Sequence, residues 1–351
     1  MANEENTSSQ LAALVVPQVG ALRQTDDPCW EPFQLVDPDG VVVSSVSDYF
    51  KDLQAAGRRP ATQRSYGMDL LRWFRFLWTI EVPWDEATRS EARDFARWLQ
   101  IAGKPARPHW RRREGDGREP ATTTRVGRPA PNPVTGKPAP GPTYGAATRA
   151  HSESVLRHFY DFHLELETGP MVNPFPLARG RHGERPGAHH NPMDPHDNHR
   201  SGLFRPRLAR RVPRAIPDEK FNELFAGLTC HRDRALVALW VSTGTRAAEL
   251  LGAMRSDADP GRQLITVVRK GSGALQQVPA SPDAFVWLRL YQAEIDGLVP
   301  GAPGDPLWWT LRRPLRALSY HAARAMFVRA NAALGANWTL HDLRHTAAYR
   351  M

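Results

Sequence analysis

The stretch TLHDLRHTAAYRM, residues 339–351, carries His341, Arg344 and His345 near the start of a predicted helix. His341 and Arg344 are three residues apart, so a helix would present both on one face. His345 follows Arg344 directly. A planar guanidinium binds two phosphate oxygens at once, and an imidazole can move a proton near neutral pH. The stretch therefore predicts part of a site that binds a phosphate group.

Two further cations lie in stretches that are far from this one in the sequence. Arg246 follows a predicted helix end in STGTRAAELLGA, residues 242–253, next to the start of another helix. The free N–H groups at a helix start favour an anion. Lys270 lies in VVRKGSG, residues 267–273, at the mouth of a predicted hairpin turn, from which a flexible cation can reach over a ligand. Two arginines, a lysine and a histidine can in this way surround one phosphodiester.

These residue types suit phosphodiester cleavage that uses no metal. Cations stabilise the charge that builds on the non-bridging oxygens, lysine can protonate a leaving 5′-oxygen, and histidine can accept the proton of an attacking hydroxyl. The sequence shows no carboxylate cluster that would hold Mg²⁺, which argues against a two-metal nuclease. We therefore expect no metal and no cofactor. Each residue also has a purely structural interpretation: Arg246 with Glu249 as a surface pair, Lys270 as an exposed lysine, His341 as a cap, and His345 as a half-buried side chain.

The net charge of +9 is concentrated in two segments that are rich in proline and glycine. Residues 103–146 and 178–214 each carry nine Lys/Arg and three Asp/Glu. Such segments can bind nucleic acid in a salt-sensitive way, or they can be solvated linkers, and the charge alone favours neither. The histidine-rich RHGERPGAHHNPMDPHDNHR, residues 181–200, lacks the fixed spacing and the cysteines of a zinc site, which favours a linker.

Hydrophobic periodicity divides the chain into two domains in which helices dominate. We predict an N-terminal arm at 1–43, a helical domain at 44–168 that contains the basic insertion 103–146, a linker at 169–214, and a second domain at 215–351. Ser47 is the expected N-cap of the first helix, Gly244 is the expected end of the helix before Arg246, and Ser319 is the expected cap of a later helix. RQLITVVRKGSGALQQVPAS, residues 262–281, predicts two strands around a Gly-Ser-Gly turn. The expected fold class is mainly α with a small antiparallel β-sheet.

Several features predict a protein that stays inside the cell. No stretch approaches the ~18 consecutive apolar residues of a membrane-spanning helix. MANEENTSSQ, residues 1–10, lacks the basic start and apolar core of a secretory signal. Two cysteines, Cys29 and Cys230, are too few for a disulfide framework. We expect a cytoplasmic, nucleoid-associated protein with no membrane partner. An RNA-binding protein would need aromatic side chains exposed on a sheet, whereas the aromatics here follow the period of helical cores.

The stretches STGTRAAELLGA, VVRKGSG and LHDLRHTAA, in this order, resemble the tyrosine recombinase (phage integrase) family. The resemblance implies an N-terminal helical, SAM-like core-binding domain and a C-terminal integrase-type catalytic domain, which clamp double-stranded DNA in a C shape. It also implies a site-specific recombinase that acts as a homo-tetramer on DNA and that cuts and rejoins strands through a 3′-phosphotyrosyl intermediate.

The resemblance also assigns a role to each motif residue. Arg246 and Arg344 would bind the scissile phosphate, Lys270 would be the general acid, and His341 would assist proton transfer. Glu249 matches an acidic position that orients its neighbours, and His345 matches a less essential histidine. In the predicted hairpin, ALQQ stands where further basic residues often occur in the family.

The family also needs a tyrosine nucleophile well beyond the second arginine. Tyr349 is the one tyrosine after Arg344, and five helical steps of about 100° turn it about 140° away from Arg344. We therefore expect Tyr349 to be a structural packing residue and expect no nucleophile in this chain. The expectation is a truncated recombinase that binds DNA without cleaving it, with apolar surface exposed near Leu343 and Ala347. The alternative is an inactive DNA-binding fragment or a regulator derived from such a recombinase.

Overall fold

A computed structural model describes the chain at residues 11, 13–27, 29–105, 130–139, 141–178, 201–208 and 214–350. These residues form two compact units. The first unit holds the described residues up to 105 together with 141–178 and 201–208, and the second unit holds 130–139 and 214–350. The histidine-rich stretch 181–200, where a linker without metal was predicted, lies outside the described residues.

The first unit consists of a two-stranded antiparallel hairpin and four helices. In chain order these are β1 Ala21–Gln24, β2 Phe33–Val36, α1 Ser44–Ala55, α2 Pro60–Thr79, α3 Arg89–Ile101 and α4 Ala146–Glu165. Their core is rich in aromatic side chains, and the indole Nε1 of Trp73 on α2 donates a hydrogen bond of 2.8 Å to the hydroxyl of Tyr160 on α4. These four helices are the ones that the sequence predicted between residues 44 and 168.

The N-terminal region corrects two expectations. Residues 21–36 were predicted to be a loose arm, but they form the hairpin, and Leu35 is fully buried. A Cβ added to Gly67 of α2 would lie 2.6 Å from a methyl group of Leu22, so the hairpin packs directly on that helix. Strands alternate with a period of two, which a search for helical periodicity misses. The first helix begins at Ser44 with Val43 as its N-cap, so Ser47 is a buried residue within the helix and does not cap it.

The described part of the predicted linker at 169–178 packs with the first unit. Phe175 is 1% exposed and makes an edge-to-face contact with the ring of Trp73, with centroids 5.2 Å apart. The side-chain amide of Asn173 donates a hydrogen bond of 2.6 Å to the carboxylate of Asp161 on α4. The chain therefore leaves the first unit later than the sequence predicted.

The second unit consists of six helices and a three-stranded antiparallel sheet with the order β3-β4-β5. Its elements in chain order are α5 Asp218–Ala226, α6 His231–Thr243, α7 Ala247–Leu251, a 3₁₀ turn Arg255–Asp257, β3 Ala258–Asp259, β4 Leu264–Val268, β5 Leu275–Pro279, α8 Pro282–Glu294, α9 Tyr320–Ala332 and α10 Leu340–Arg350. Val268 pairs with Leu275 at the end of the hairpin, which places Gly-Ser-Gly in its turn. The predicted fold class, mainly α with a small antiparallel sheet, is confirmed.

Two helix boundaries in this unit follow from single residues that the sequence singles out. Gly244 ends α6 in the left-handed conformation, with φ +61, which a glycine adopts without strain. Ser319 begins α9, and its hydroxyl accepts a hydrogen bond of 3.2 Å from the N–H of Ala322. Both boundaries were predicted.

Helix α10 packs against α6 and is anchored at both ends. A Cβ added to Gly244 would lie 3.3 Å from the Cβ of Ala347, so the two helices approach closely where α6 ends. The buried hydroxyl of Thr346 accepts a hydrogen bond of 2.8 Å from the N–H of Ile216. At the C-terminal end of α10, the guanidinium of Arg350 pairs with Asp218. These contacts set the position of the motif residues that α10 carries.

The same helix corrects the expectations about its apolar and aromatic residues. Leu343 and Ala347 are 0% and 1% exposed, so no apolar surface is open at either residue. Tyr349 is 83% exposed, and the predicted packing role is therefore wrong. The buried face of α10 runs through Leu343, Thr346 and Ala347, and steps of about 100° place Tyr349 about 120° from Leu343, outside this face.

Replacing Gly244 with alanine tests the left-handed backbone conformation that ends α6. We expect G244A to lower the free energy of unfolding by about 1–2 kcal/mol, because alanine is strained at positive φ. The matched control is G227A at the end of α5, where φ is −73 and the nearest atom to an added Cβ is 3.5 Å away. Urea unfolding of both variants measures the difference, and equal stabilities would contradict this account of the α6 terminus.

Candidate functional site

A short turn between α6 and α7 brings Arg246 next to the start of α10. The buried hydroxyls of Thr243 and Thr245 lie 2.9 Å apart, and the N–H of Thr245 donates to the Thr243 hydroxyl at 3.2 Å. These bonds hold the turn after Gly244 in one conformation. Because α10 packs on the same end of α6, the turn that carries Arg246 begins beside Ala347 of α10.

The carboxylate of Glu249 connects this turn to the hairpin of β4 and β5. It accepts hydrogen bonds from the N–H of Arg246 at 3.0 Å, from Nη1 of Arg246 at 2.9 Å, from Nη1 of Arg269 at 3.1 Å and from the N–H of Lys270 at 2.9 Å. The Glu249 side chain is 2% exposed. One buried carboxylate therefore fixes the guanidinium of Arg246 and the main chain at the hairpin turn.

The hydrogen bonds also set the charge of Glu249. Burial by itself would raise the pKa of this carboxyl, but the bonds from Lys270, Arg246 and Arg269 outweigh burial and lower the pKa to about 2. Glu249 is therefore ionised at neutral pH, and its negative charge offsets part of the positive charge around it.

The three motif residues of α10 lie beside this cluster. The rings of His341 and His345 are in edge contact, with centroids 4.4 Å apart. Burial lowers the pKa of His341, and the charges of His345, Arg344 and Arg246 lower it further, while Asp342 opposes them. His341 is thus within electrostatic reach of both arginines, and its imidazole is neutral near pH 7, the state that accepts a proton.

Arg344 differs from the other arginines of the site because part of its guanidinium is buried without a partner. Its Nη1 has no hydrogen-bond acceptor among the described residues. A buried donor without an acceptor costs free energy, and it is rare in folded proteins. The remaining acceptor is therefore expected to come from an anionic ligand.

Some of the predicted catalytic side chains influence one another in the structure. The charges of Arg246 and Arg344 both act on His341, and Glu249 contacts Arg246. Lys270 is joined to this cluster through its main-chain N–H, while its side chain is exposed at the hairpin turn. The turn contains Gly271 at φ +112 and Gly273 at φ +70. The catalytic roles of these residues stay predictions.

Two residues of the site were missed in the sequence. Arg269, next to Lys270, pairs with Glu249. The strand pattern of the hairpin could have indicated this residue, because Arg269 comes two positions after the buried Val267 and so continues the same face. Asp342 lies between His341 and Arg344 in the sequence and is 6% exposed. Its partner, Lys137, is about 200 residues away along the chain, and no local pattern predicts that pairing.

The part of the chain that the structure describes contains no group of three or more His, Cys, Asp or Glu side chains that could hold a metal ion. Cys29 and Cys230 are free thiols. Within the described ranges, no helix has both the length and the apolar character needed to cross a membrane.

Two models of one protein family match this chain. The phage integrase family model matches residues 218–351, and the model of the phage integrase N-terminal SAM-like domain matches residues 46–113. The chain belongs to the tyrosine recombinase (phage integrase) family. The two matches correspond to the two structural units, so the SAM-like and integrase-type domains implied by the resemblance are confirmed.

Individual relatives agree with this family. The tyrosine recombinase XerC 2 of Ralstonia nicotianae is 32% identical over 164 residues, which are 44% of this chain and 46% of that protein. The tyrosine recombinase XerC of Chlamydia caviae is 29% identical over 155 residues, which are 41% of this chain and 47% of that protein. The matched residues thus span about half the length of these relatives.

Solved structures show the same fold at low sequence identity. A lambda integrase dimer bound to a COC′ core site has a TM-score of 0.53 and 16% identity, covering 87% of this chain and 88% of that chain. The Tn1549 transposon integrase in complex with circular intermediate DNA has a TM-score of 0.52 and 13% identity, covering 87% of this chain and 86% of that chain. At such identities the likeness concerns the fold.

Replacing Glu249 with glutamine tests its place in this family site. We expect E249Q to lower the free energy of unfolding at pH 7 by roughly 2–3 kcal/mol, since the pKa in the folded state lies well below the ordinary value. A lowered pKa stabilises the folded state above about pH 4.5, and the benefit is lost as pH falls toward 2. The difference in the free energy of unfolding between E249Q and wild type, measured by urea unfolding, should therefore become smaller as the pH falls from about 4.5 toward 2.

The matched control is E223Q, which removes an exposed carboxylate that pairs with Lys220 at 2.8 Å. A surface pair of this kind contributes about 0.5 kcal/mol or less. If E249Q and E223Q destabilise the protein equally, Glu249 does not hold the site together.

Proposed function

We propose that the chain is a site-specific DNA recombinase of the tyrosine type, which binds double-stranded DNA. The 3′-phosphotyrosyl intermediate through which such an enzyme cuts and rejoins strands would form on a tyrosine other than Tyr349. The observation that supports this most directly is the buried Nη1 of Arg344, which has no acceptor among the described residues. His341, whose pKa is lowered by burial and by neighbouring charges, is within electrostatic reach of both Arg344 and Arg246. A phosphodiester of the DNA backbone would supply the acceptor oxygens.

In this proposal Arg246 and Arg344 bind the non-bridging oxygens of the scissile phosphate. Glu249 orients the guanidinium of Arg246 through Nη1, while 46% of the Arg246 side chain stays exposed to a ligand. A guanidinium that is fixed before the ligand arrives, as that of Arg246 is, stabilises the charge of the transition state without reorganising. Arginine suits this role because it keeps its charge and binds phosphate in a bidentate manner.

Proton transfer is assigned to Lys270 and His341. Lys270 protonates the leaving 5′-oxygen, and its place at an exposed hairpin turn lets the ammonium group reach over bound DNA. His341 accepts the proton of the attacking hydroxyl, which its lowered pKa permits because the ring is neutral at physiological pH. His345 supports the ring of His341 by edge contact.

Support for a DNA partner and for an oligomer comes from charge and from structural neighbours. The chain has a net charge of +9, and a positive surplus favours the DNA backbone. The lambda integrase structures include a dimer bound to a core site and a tetramer bound to a Holliday junction. We propose double-stranded DNA as the substrate and a homo-oligomer on that DNA as the active form.

Removal of the Arg344 guanidinium tests the proposed phosphate site. A duplex is first selected from a randomised pool by the wild-type chain, and its affinity for variants is then measured by fluorescence anisotropy. We expect R344A to weaken binding at least tenfold, since a charged hydrogen bond contributes about 1.5–3 kcal/mol. The control R350A removes an arginine from the same helix that pairs with Asp218, and it should change affinity far less. Equal losses would mean that Arg344 contributes only general charge.

A second variant tests the role of Tyr349. A nicked suicide duplex of the selected sequence traps any covalent adduct between protein and DNA, which denaturing electrophoresis detects. Because Tyr349 is exposed and is turned about 140° away from Arg344 around α10, we expect no adduct through Tyr349, so Y349F should give the same result as wild type. An adduct whose peptide maps to Tyr349 would refute this assignment.

A further inference from the structure

Residues 132–137, a part of the basic insertion, form a compact turn. The N–H of Asn132 donates to the carbonyl of Lys137 at 2.8 Å, and the N–H of Gly136 donates to the carbonyl of Asn132 at 2.8 Å. The side-chain oxygen of Asn132 accepts hydrogen bonds from the N–H groups of Val134 and Thr135 at 3.0 and 2.9 Å. The turn therefore has its own hydrogen-bonded conformation, in which Gly136 has φ +61.

This turn belongs to the second unit and contacts the loop that precedes α10. The side-chain amide of Asn132 donates to the carbonyl of Gly335 at 2.8 Å, and the Thr135 hydroxyl donates to the side chain of Asn337. The guanidinium of Arg214 donates to the carbonyl of Thr135 at 3.0 Å. Side-chain hydrogen bonds thus join the turn to Arg214 and to the loop that precedes α10.

Lys137 places the only formal charge of the turn against α10. Its ammonium forms an ion pair with Asp342, and it donates to the carbonyl of Asn337 at 3.3 Å. The Lys137 side chain is 22% exposed and that of Asp342 is 9% exposed. Asp342 also accepts the N–H of Thr339 at 2.6 Å and its hydroxyl at 2.8 Å, which caps the first turn of the helix.

We propose that Lys137 is a positioning residue for the phosphate site: it neutralises Asp342 and thereby holds the first turn of α10, which carries His341 and Arg344. The inference rests on the proposed function. It goes beyond the motif residues, because Lys137 lies in a segment whose charge was open to two interpretations, DNA contact or a solvated linker. Lys137 serves neither purpose, since its charge is matched within the protein.

Two physical effects follow from the ion pair. A buried carboxylate that loses its partner is strongly unfavourable, so without Lys137 the cap of α10 would open to reach water. An unmatched negative charge at Asp342 would also repel a phosphate that approaches the neighbouring Arg344. Lys137 therefore affects phosphate binding without touching the phosphate.

The first experiment measures the local stability of α10 without DNA. Hydrogen exchange of the amides at 343–347 should be at least about tenfold faster in K137Q than in wild type. K137R should restore protection, because it keeps the charge. The control K104Q removes a lysine of the same insertion that donates to the carbonyl of Gly141 in the first unit, and it should leave exchange in α10 unchanged. Unchanged exchange in K137Q would overturn the proposal.

The second experiment measures DNA binding as a function of salt with the selected duplex. We expect K137Q to lower the affinity on the order of tenfold, with an unchanged slope of log K against log salt, whereas loss of a phosphate-contacting lysine reduces that slope by about one. A reduced slope would show that Lys137 contacts DNA and would overturn the positioning role. Faster exchange with unchanged affinity would overturn it too.

The R344A variant separates this inference from the proposed function. If R344A binds the duplex as tightly as wild type, the phosphate site itself is wrong, and the exchange data still decide whether Lys137 holds α10. If R344A loses affinity and K137Q does not, the phosphate site stands and the positioning role of Lys137 fails.

Discussion

The site depends on one buried carboxylate with four converging hydrogen-bond donors. Glu249 binds the side chain and main chain of Arg246, the side chain of Arg269 and the main chain of Lys270. Without the negative charge of Glu249, the guanidinium groups of Arg246 and Arg269 would repel each other. The carboxylate therefore allows several cations to face one point, and it ties the turn after α6 to the hairpin in a single rigid arrangement.

A second carboxylate is neutralised in the same neighbourhood by a different route. Asp342 is paired with Lys137 and with the capping residue Thr339, so it does not compete for the guanidinium of Arg344. Both negative charges of this region are thus satisfied by partners within the protein. The positive charge of Arg344 remains available to an external anion, which explains how a site with two buried carboxylates can still favour phosphate.

Local physical rules predicted much of the fold around the site. A glycine that relieves the strain of positive φ ended α6, a serine capped α9, and a Gly-Ser-Gly turn joined two strands. The rules failed where burial decided the outcome. The hairpin at 21–36 has a period of two and was hidden in a search for helices, and Tyr349 was placed in a core that other side chains of α10 already fill.

The sequence by itself determined which residues bear the chemistry and in what order they occur, because Arg246, Lys270, His341 and Arg344 lie in short motifs that their neighbours make recognisable. Only the tertiary structure decided which charged side chains form ion pairs within the protein. The partner of Asp342 lies in an insertion that is distant in the sequence. That Nη1 of Arg344 has no acceptor among the described residues depends on the side chains that pack around it. Such contacts form when separate elements pack, and no spacing along the chain encodes them.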